Sequence, residues 1–437
     1  MAMEYVAKMR FQTPDANSFD RWVRAFFVLW SLGALAIAIR TWIHFPPDEW
    51  LSVLILSALA LGVLTAPVSS RARIAVALLL GTVVRLWGAQ SIAAFPLAQY
   101  DDPSTYDILS SNILAGRGLI VWDNDYGLVQ AAYPPLYPIF LAGAKLLGIG
   151  SVGANFVCDV AASLMIWRLA GDRAAAAYFL FPSVVVAALI PSKEPLAMAL
   201  LLGCMMLWKR NQIGYGALSG LLALTQPAWL PIPIVAFFLT RRQPADVIKA
   251  AGAGLVVLLP WWVRNYLLFH RFIPLTTSVG FTLGVVFTGQ YGPYAQLPYD
   301  EPGRASYALH HTLSAIAHDP SKYFGNVIRQ LIRALLVNDI APYDVDPRVS
   351  WLSAAAVISR MAWAAAIGAC AREIPRDRRL LSFVAGFLAT SLLFGGMWFE
   401  FRSRQRAFAV PLLLMWSGLA TSVRRCPSAR EVTAPAP

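Results

Sequence analysis

Long apolar runs separated by short polar breaks dominate the chain. The runs fall at about 22–43, 50–67, 72–93, 134–149, 151–169, 173–190, 193–208, 213–226, 228–240, 246–266, 349–370, 379–398 and 406–423, with breaks rich in Arg, Pro or Gly. Runs of roughly 17–22 residues are what an α-helix needs to cross ~30 Å of hydrocarbon. The pattern therefore predicts an all-α polytopic membrane protein with about 12–13 transmembrane helices, since in lipid a helix satisfies its own backbone polar groups. The short alternating strands of a membrane β-barrel do not occur in it.

Two polar interruptions are longer than the rest, at 94–133 and 267–348. Within the second, Tyr323, Val327, Leu331 and Leu335 alternate with Lys322, Arg329 and Arg333 at helical spacing. That spacing predicts an amphipathic helix lying at the membrane interface over the bundle. Basic breaks set the orientation. Lys8, Arg10, Arg21 and Arg24 place the N-terminus in the cytoplasm, and Arg71 and Arg73 mark an inner loop. Lys209, Arg210, Arg241, Arg242, Arg372, Arg376, Arg378, Arg379, Arg424 and Arg425 form further inner clusters. Both long interruptions then lie outside. The two halves agree only if 134–169 crosses an odd number of times, so the triple-proline run 134–149 is expected not to cross fully, or a nearby pair to be re-entrant.

Composition agrees with the pattern. Of 437 residues, 58% are hydrophobic and 14% charged, against about a quarter charged in soluble domains. The net charge of +12 would suggest nucleic acid in a soluble chain, but here it sits in loops and follows from positive-inside topology, so no nucleic-acid partner is expected. Met1–Asp20 lacks the short apolar core of a removable signal peptide. The four cysteines, Cys158, Cys204, Cys370 and Cys426, fall in no metal-binding spacing and read as free thiols.

The chain divides into an N-terminal segment with two additional helices (1–71), a transmembrane core carrying the outer loop 94–133 (72–266), an extracytoplasmic loop with amphipathic helices (267–348), and C-terminal helices with a cytoplasmic tail (349–437).

Candidate chemistry concentrates at the outer breaks. Asp101 and Asp102 directly follow an apolar helix, where a partly desolvated carboxylate gains proton affinity and can act as a general base. Asp102-Pro103 also suits the start of a helix running to about Ala115, and the two roles are compatible. Arg264 ends an apolar run, placed either to grip a phosphate or to reach the interface beside Trp261 and Trp262. Glu400, Arg402, Arg404 and Arg406 sit on the predicted outer side, against the rule that every other Arg cluster obeys. An anionic lipid phosphate or ion pairing with Glu400 would each account for them. Glu194, beside Lys193 at a predicted outer turn, is a contact candidate or a plain helix-start residue. Arg85 lies inside an apolar run and needs a structural partner. His310, His311, His318 and Asp319 read as a solvated helix face rather than a metal site.

Asp102 and Tyr106, then Asn112, Ala115, Gly116 and Gly118, then Pro134-Pro135-Leu136-Tyr137-Pro138 resemble the first extracytoplasmic loop of the GT-C glycosyltransferase superfamily. The chain is similar to the branch holding the protein O-mannosyltransferases, the aminoarabinose transferase of lipid A and the rhizobial galacturonosyltransferases. Pro260-Trp261-Trp262-Val263-Arg264-Asn265-Tyr266, with Gly280-Phe281 beyond it, resembles a second motif, and Arg404-Gln405-Arg406 with Pro411 a third. The last departs from its pattern in having Gln405 where the family has an aromatic residue.

The resemblance implies a GT-C-like fold and an inverting transfer of a sugar from a polyprenyl-phosphate donor to an extracytoplasmic glycan, lipid or protein acceptor. It implies a bacterial inner-membrane location with the active site on the periplasmic side. Asp102 or Asp101 would be the catalytic base, Arg264, Arg402, Arg404 and Arg406 the donor-phosphate contacts, and Tyr106, Tyr137, Glu194 and Asn265 substrate contacts. Trp261, Trp262, Tyr291 and Tyr294 would wall a cavity or anchor the interface. The resemblance makes no cofactor certain and leaves open a divalent ion on the acidic pair. Two alternatives remain: a transporter or flippase for a lipid-linked sugar, and a polymerase or ligase of O-antigen type resting on arginines.

Overall fold

The computed structural model describes residues 16–43, 50–93, 101–123, 126–208, 210–238, 243–278, 281, 294–336 and 350–372. The expected runs at 379–398 and 406–423, together with Glu400, Arg402, Arg404 and Arg406, lie outside the described residues.

The protein is predominantly helical. In chain order the helices are α1 (Ala16–Ile43), α2 (Trp50–Thr65), α3 (Ser70–Ala93), α4 (Asp101–Leu114), α5 (Leu136–Leu146), α6 (Gly150–Ala170), α7 (Asp172–Leu180), α8 (Pro182–Ala188), α9 (Glu194–Leu207), α10 (Gln212–Ala223), α11 (Pro231–Phe238), α12 (Pro244–Phe269), α13 (Glu301–His318), α14 (Pro320–Leu336) and α15 (Ser350–Arg372). A two-stranded antiparallel hairpin, β1 (Val121–Asp123) with β2 (Gly127–Val129), pairs Val121 with Val129 and Trp122 with Leu128.

Among the described residues four helical stretches are long and apolar enough to cross a membrane: Arg21–Arg40, Ser70–Gln90, Gly150–Ala170 and Pro244–Phe269. Several expected spans are shorter than their apolar runs. The run at 173–190 is broken between α7 and α8, where Phe181 is extended (φ −67°, ψ 125°) ahead of Pro182. Proline has no N–H to give and disfavours helical geometry in the residue before it. Helix α5 has 11 residues, about 16 Å at the helical rise, too little to cross the hydrocarbon layer. Helix α14 forms where the amphipathic spacing predicts it, with Phe324, Ile328 and Ile332 exposed on successive turns.

One core joins α1 to α15, more than 300 residues further along the chain. Phe27 and Trp30 of α1 pack with Trp363 and Ile367 of α15, Ile74 of α3, Ile166 of α6, Tyr178 of α7 and Leu201 of α9. The ring centroids of Trp30 and Trp363 are 5.8 Å apart, and the Ser31 hydroxyl donates to the Ala364 carbonyl at 2.8 Å. The N-terminal helix is therefore built into the bundle with α15. Arg73, one of the basic residues read as marking an inner loop, is buried and paired with Asp172, and it also donates to the Val63 carbonyl at 3.1 Å.

Inside the helices Arg85 has the partner it requires. Its guanidinium donates to Asp159 at 2.8 Å and to the Phe179 carbonyl at 3.0 Å, and it lies 4.2 Å from the Phe179 ring centroid. Cys158, Cys204 and Cys370 are buried free thiols, and Cys426 lies outside the described residues.

Helix α12 is held to α10 by backbone proximity. A Cβ on Gly216 would meet the Ala250 carbonyl oxygen at 1.9 Å, and one on Gly220 the Gly254 carbonyl oxygen at 2.9 Å. Small residues at such a crossing let two backbones approach, which is how membrane helices gain packing where hydrophobicity drives little. Ala250, Leu258, Trp261 and Asn265 form the buried stripe of α12, spaced by one or two turns. That stripe places Arg264 at the helix end beside the hairpin.

Candidate functional site

Two polar centres meet on the segment that runs from β2 into α5. The first is organised by α4. Helix α4 begins at Asp101, so Asp102 lies within its first turn rather than flanking it as a cap. The side chains of Asp101 and Asp102 lie outside the described residues. Tyr106 follows Asp102 by one turn on the same face and is buried. Its ring meets those of Tyr133 and Tyr137 edge-on, at centroid distances of 5.8 and 5.2 Å, and the Lys193 ammonium stands 5.6 Å from the Tyr106 centroid.

Each partner is itself fixed. The Tyr137 hydroxyl donates to the Asn155 side-chain oxygen at 3.1 Å and accepts from the Ser192 N–H at 2.7 Å. The Ser192 hydroxyl donates to Glu194, which is buried as the first residue of α9. The Tyr133 hydroxyl donates to Asp123 at 2.6 Å. Tyr106, Tyr137 and Glu194, three of the residues marked from sequence, thus belong to one cluster with Lys193 beside Tyr106.

Helix α4 ends where Gly116 takes a positive φ of 72°. The Arg117 N–H returns to the Asn112 carbonyl at 2.8 Å, a left-handed helix stop that favours glycine. The Asn112 side-chain amide then donates to the Ile120 carbonyl at 2.6 Å and turns the chain into β1. The Asn112, Gly116 and Gly118 spacing therefore directs the chain back toward the hairpin.

The second centre gathers around Arg264. Its guanidinium donates to the Gln130 carbonyl at 2.9 Å and to the Asn265 side-chain oxygen at 2.7 Å, and it lies 5.0 Å from the Trp261 ring centroid. Among the described residues it forms no ion pair. Trp261 is buried, with its indole N–H donating to the Leu275 carbonyl at 2.6 Å. Trp262 donates to the Pro274 carbonyl at 2.6 Å. Both indoles thus hold the returning chain, which reverses at the left-handed His270 (φ 51°). Among the described residues the buried Asn265 Nδ2 has no hydrogen-bond partner.

Glu301, the first residue of α13, closes this centre and was not singled out from sequence. Its carboxylate accepts from the backbone N–H groups of Gln130 and Ala131 and from the Thr277 hydroxyl. Burial raises its carboxyl above the ordinary glutamate value of 4.5, although the Thr277, Gln130 and Ala131 donors and the Arg304 charge pull the other way. The one sequence signal is Asp300-Glu301-Pro302, a helix start in which Asp300 caps the Gly303 N–H at 2.9 Å. Gln130 lies 171 residues away in sequence, which no local pattern reveals. Thr277 adds a backbone link, its N–H donating to the Ala131 carbonyl at 3.1 Å.

The remaining candidates separate from these centres. His310 and His318 are exposed, each within 3.0 Å of a carbonyl one turn back. Tyr294 packs its ring 5.1 Å from Phe281, and Tyr291 lies outside the described residues. No group of three or more His, Cys, Asp or Glu side chains able to share an ion occurs among the described residues.

No protein-family model matches the chain, and no curated protein matches its sequence. Among solved structures it is similar to ArnT from Cupriavidus metallidurans in the apo state, at 15% identity over 74% of this chain and 73% of that one, with a TM-score of 0.29. A likeness at that level fixes neither the fold nor the role of any residue.

Proposed function

We propose that this protein is an integral membrane glycosyltransferase that moves a sugar from a polyprenyl-phosphate donor to an extracytoplasmic glycan, lipid or protein acceptor with inversion. The observation that carries the reading is the convergence, on one short segment, of a helix start bearing two carboxylates and an arginine that forms no ion pair among the described residues. Gln130 accepts from Arg264 while Tyr133 packs on Tyr106, and the three-residue step between them spans at most about 10 Å. Asp102 lies one helical turn from Tyr106, ~6 Å along the axis.

In this reading Asp102, or Asp101, takes the proton from an acceptor hydroxyl. The acceptor oxygen attacks the anomeric carbon from the face opposite the phosphate. The anomeric carbon–oxygen bond to the phosphate breaks, and the phosphate leaves with the electron pair. Arg264 meets the charge that grows on the phosphate, from a position already set by Gln130 and Asn265, so little reorganisation is needed in the transition state. Arg404 and Arg406 join it in the proposal on the strength of the sequence resemblance alone. Tyr106, Tyr137, Lys193 and Glu194 shape the wall next to the base.

The test is transfer of labelled sugar from membrane polyprenyl-phosphate sugars to endogenous acceptors in the wild type, Asp101→Asn and Asp102→Asn at matched expression. Loss in one variant with donor still bound supports the reading and names the base. Full transfer in both removes it and favours a transporter or an arginine-based ligase.

A further inference from the structure

Arg264 and Glu301 do not touch, yet both hold the same peptide. The Gln130 C=O accepts from the Arg264 guanidinium, and the Ala131 N–H of that same peptide unit donates to the Glu301 carboxylate at 3.0 Å. Glu301 also accepts from the N–H of Gln130 itself and from the Thr277 hydroxyl on the chain returning off α12. Arg304 anchors the same strand, donating to the Leu128 carbonyl at 2.7 Å and to the Tyr299 carbonyl at 2.6 Å. The Gln130 carbonyl therefore has its direction fixed from both sides of the chain.

We infer that Glu301 is a positioning residue for Arg264, acting through the Gln130 peptide, and that it links the outer helix α13 to the phosphate-binding end of α12. The physical reason is that the Gln130 C=O and the Ala131 N–H are the two ends of one planar peptide unit and move together. Removing the acceptor for the Gln130 and Ala131 N–H groups leaves buried donors unsatisfied, and the segment rotates to find others. The Arg264 acceptor is lost in the same movement. Asn265 alone does not fix the guanidinium, because one hydrogen bond leaves it free to pivot. The functional half of this inference rests on the proposed donor site.

The test separates the two. Glu301→Gln keeps the side-chain volume but points an N–H donor at N–H donors. Thr277→Val removes one contact and leaves both amide bonds, so it serves as a folded control. Arg264 modification by phenylglyoxal, followed by mass spectrometry, needs no ligand. A rise of about tenfold in its rate in Glu301→Gln, with Thr277→Val near the wild type, is the expected result. Unchanged modification in Glu301→Gln overturns the inference.

Binding of undecaprenyl phosphate alone is the second readout. Arg264→Ala and Glu301→Gln are each expected to weaken it about tenfold, with the double variant no weaker than Arg264→Ala, as coupled residues behave. Multiplying effects overturn the positioning role. Unweakened binding in Arg264→Ala instead removes the proposed donor site and leaves the positioning role to be decided by the modification rate.

Discussion

Arg85 and Arg264 both lie on long apolar helices, and the structure treats them in opposite ways. Arg85 is enclosed, with side-chain exposures of 2% for itself and 1% for its partner Asp159. The Tyr178 hydroxyl also donates to Asp159, at 3.2 Å. Arg264 is half-buried and, among the described residues, bonds only to neutral oxygens, of Gln130 and Asn265. An arginine already neutralised by a carboxylate has nothing to offer an incoming anion. One oriented by neutral acceptors keeps its charge for a ligand. Charge in a membrane protein is thus read by what satisfies it as well as by where it sits.

The comparison breaks first at Arg85→Ala. Leaving Asp159 buried without its partner is expected to destabilise the fold by about 3–5 kcal/mol, seen as a loss of folded protein in detergent. Arg264→Ala is expected to keep the melting temperature within a few degrees and to lower sugar transfer about 100-fold, the scale for removing one oriented transition-state donor. Equal losses of stability in the two variants would erase the distinction between them.

Gly216→Ala sharpens the comparison, because it acts on the support of Arg264 without touching it. With a Cβ 1.9 Å from the Ala250 carbonyl oxygen, α10 and α12 must separate, at a cost of about 2 kcal/mol. Transfer should fall further than stability alone explains, measured as activity per folded molecule.

The smallest effect is a pH dependence. Burial holds the Glu301 carboxyl above 4.5, so the folded state binds that proton more tightly than the unfolded one. Its contribution is fully present below the unfolded value and is lost as pH rises through the folded value. The charged groups facing it are Arg304 on its own helix and Arg264 on α12. Melting temperature measured upward from pH 4 should decline more in the wild type than in Glu301→Gln. An identical slope in both would count against a buried carboxyl at that position.

The acidic helix was legible because its signals are local. Asp102 with Tyr106 one turn on, and the stop at Gly116 and Gly118, are set by spacing and by the left-handed turn that favours glycine. Breaks in apolar runs were only partly legible. Pro182 ends α7 for a reason visible in sequence, yet composition alone leaves 173–190 as one run, since apolar residues suit a broken buried helix and a continuous span equally.

The sequence by itself determined the helical, lipid-compatible character of the chain, the amphipathic α14 and the need of Arg85 for a partner. Each follows from periodicity or from the cost of an unpaired charge in an apolar run. Only the tertiary structure decided that the partner is Asp159, that Trp261 turns inward, and that Glu301 and Arg264 share the Gln130 peptide. Those pairings join residues far apart in the chain, and what selects them is the requirement that each buried donor and acceptor find a partner once the helices have packed.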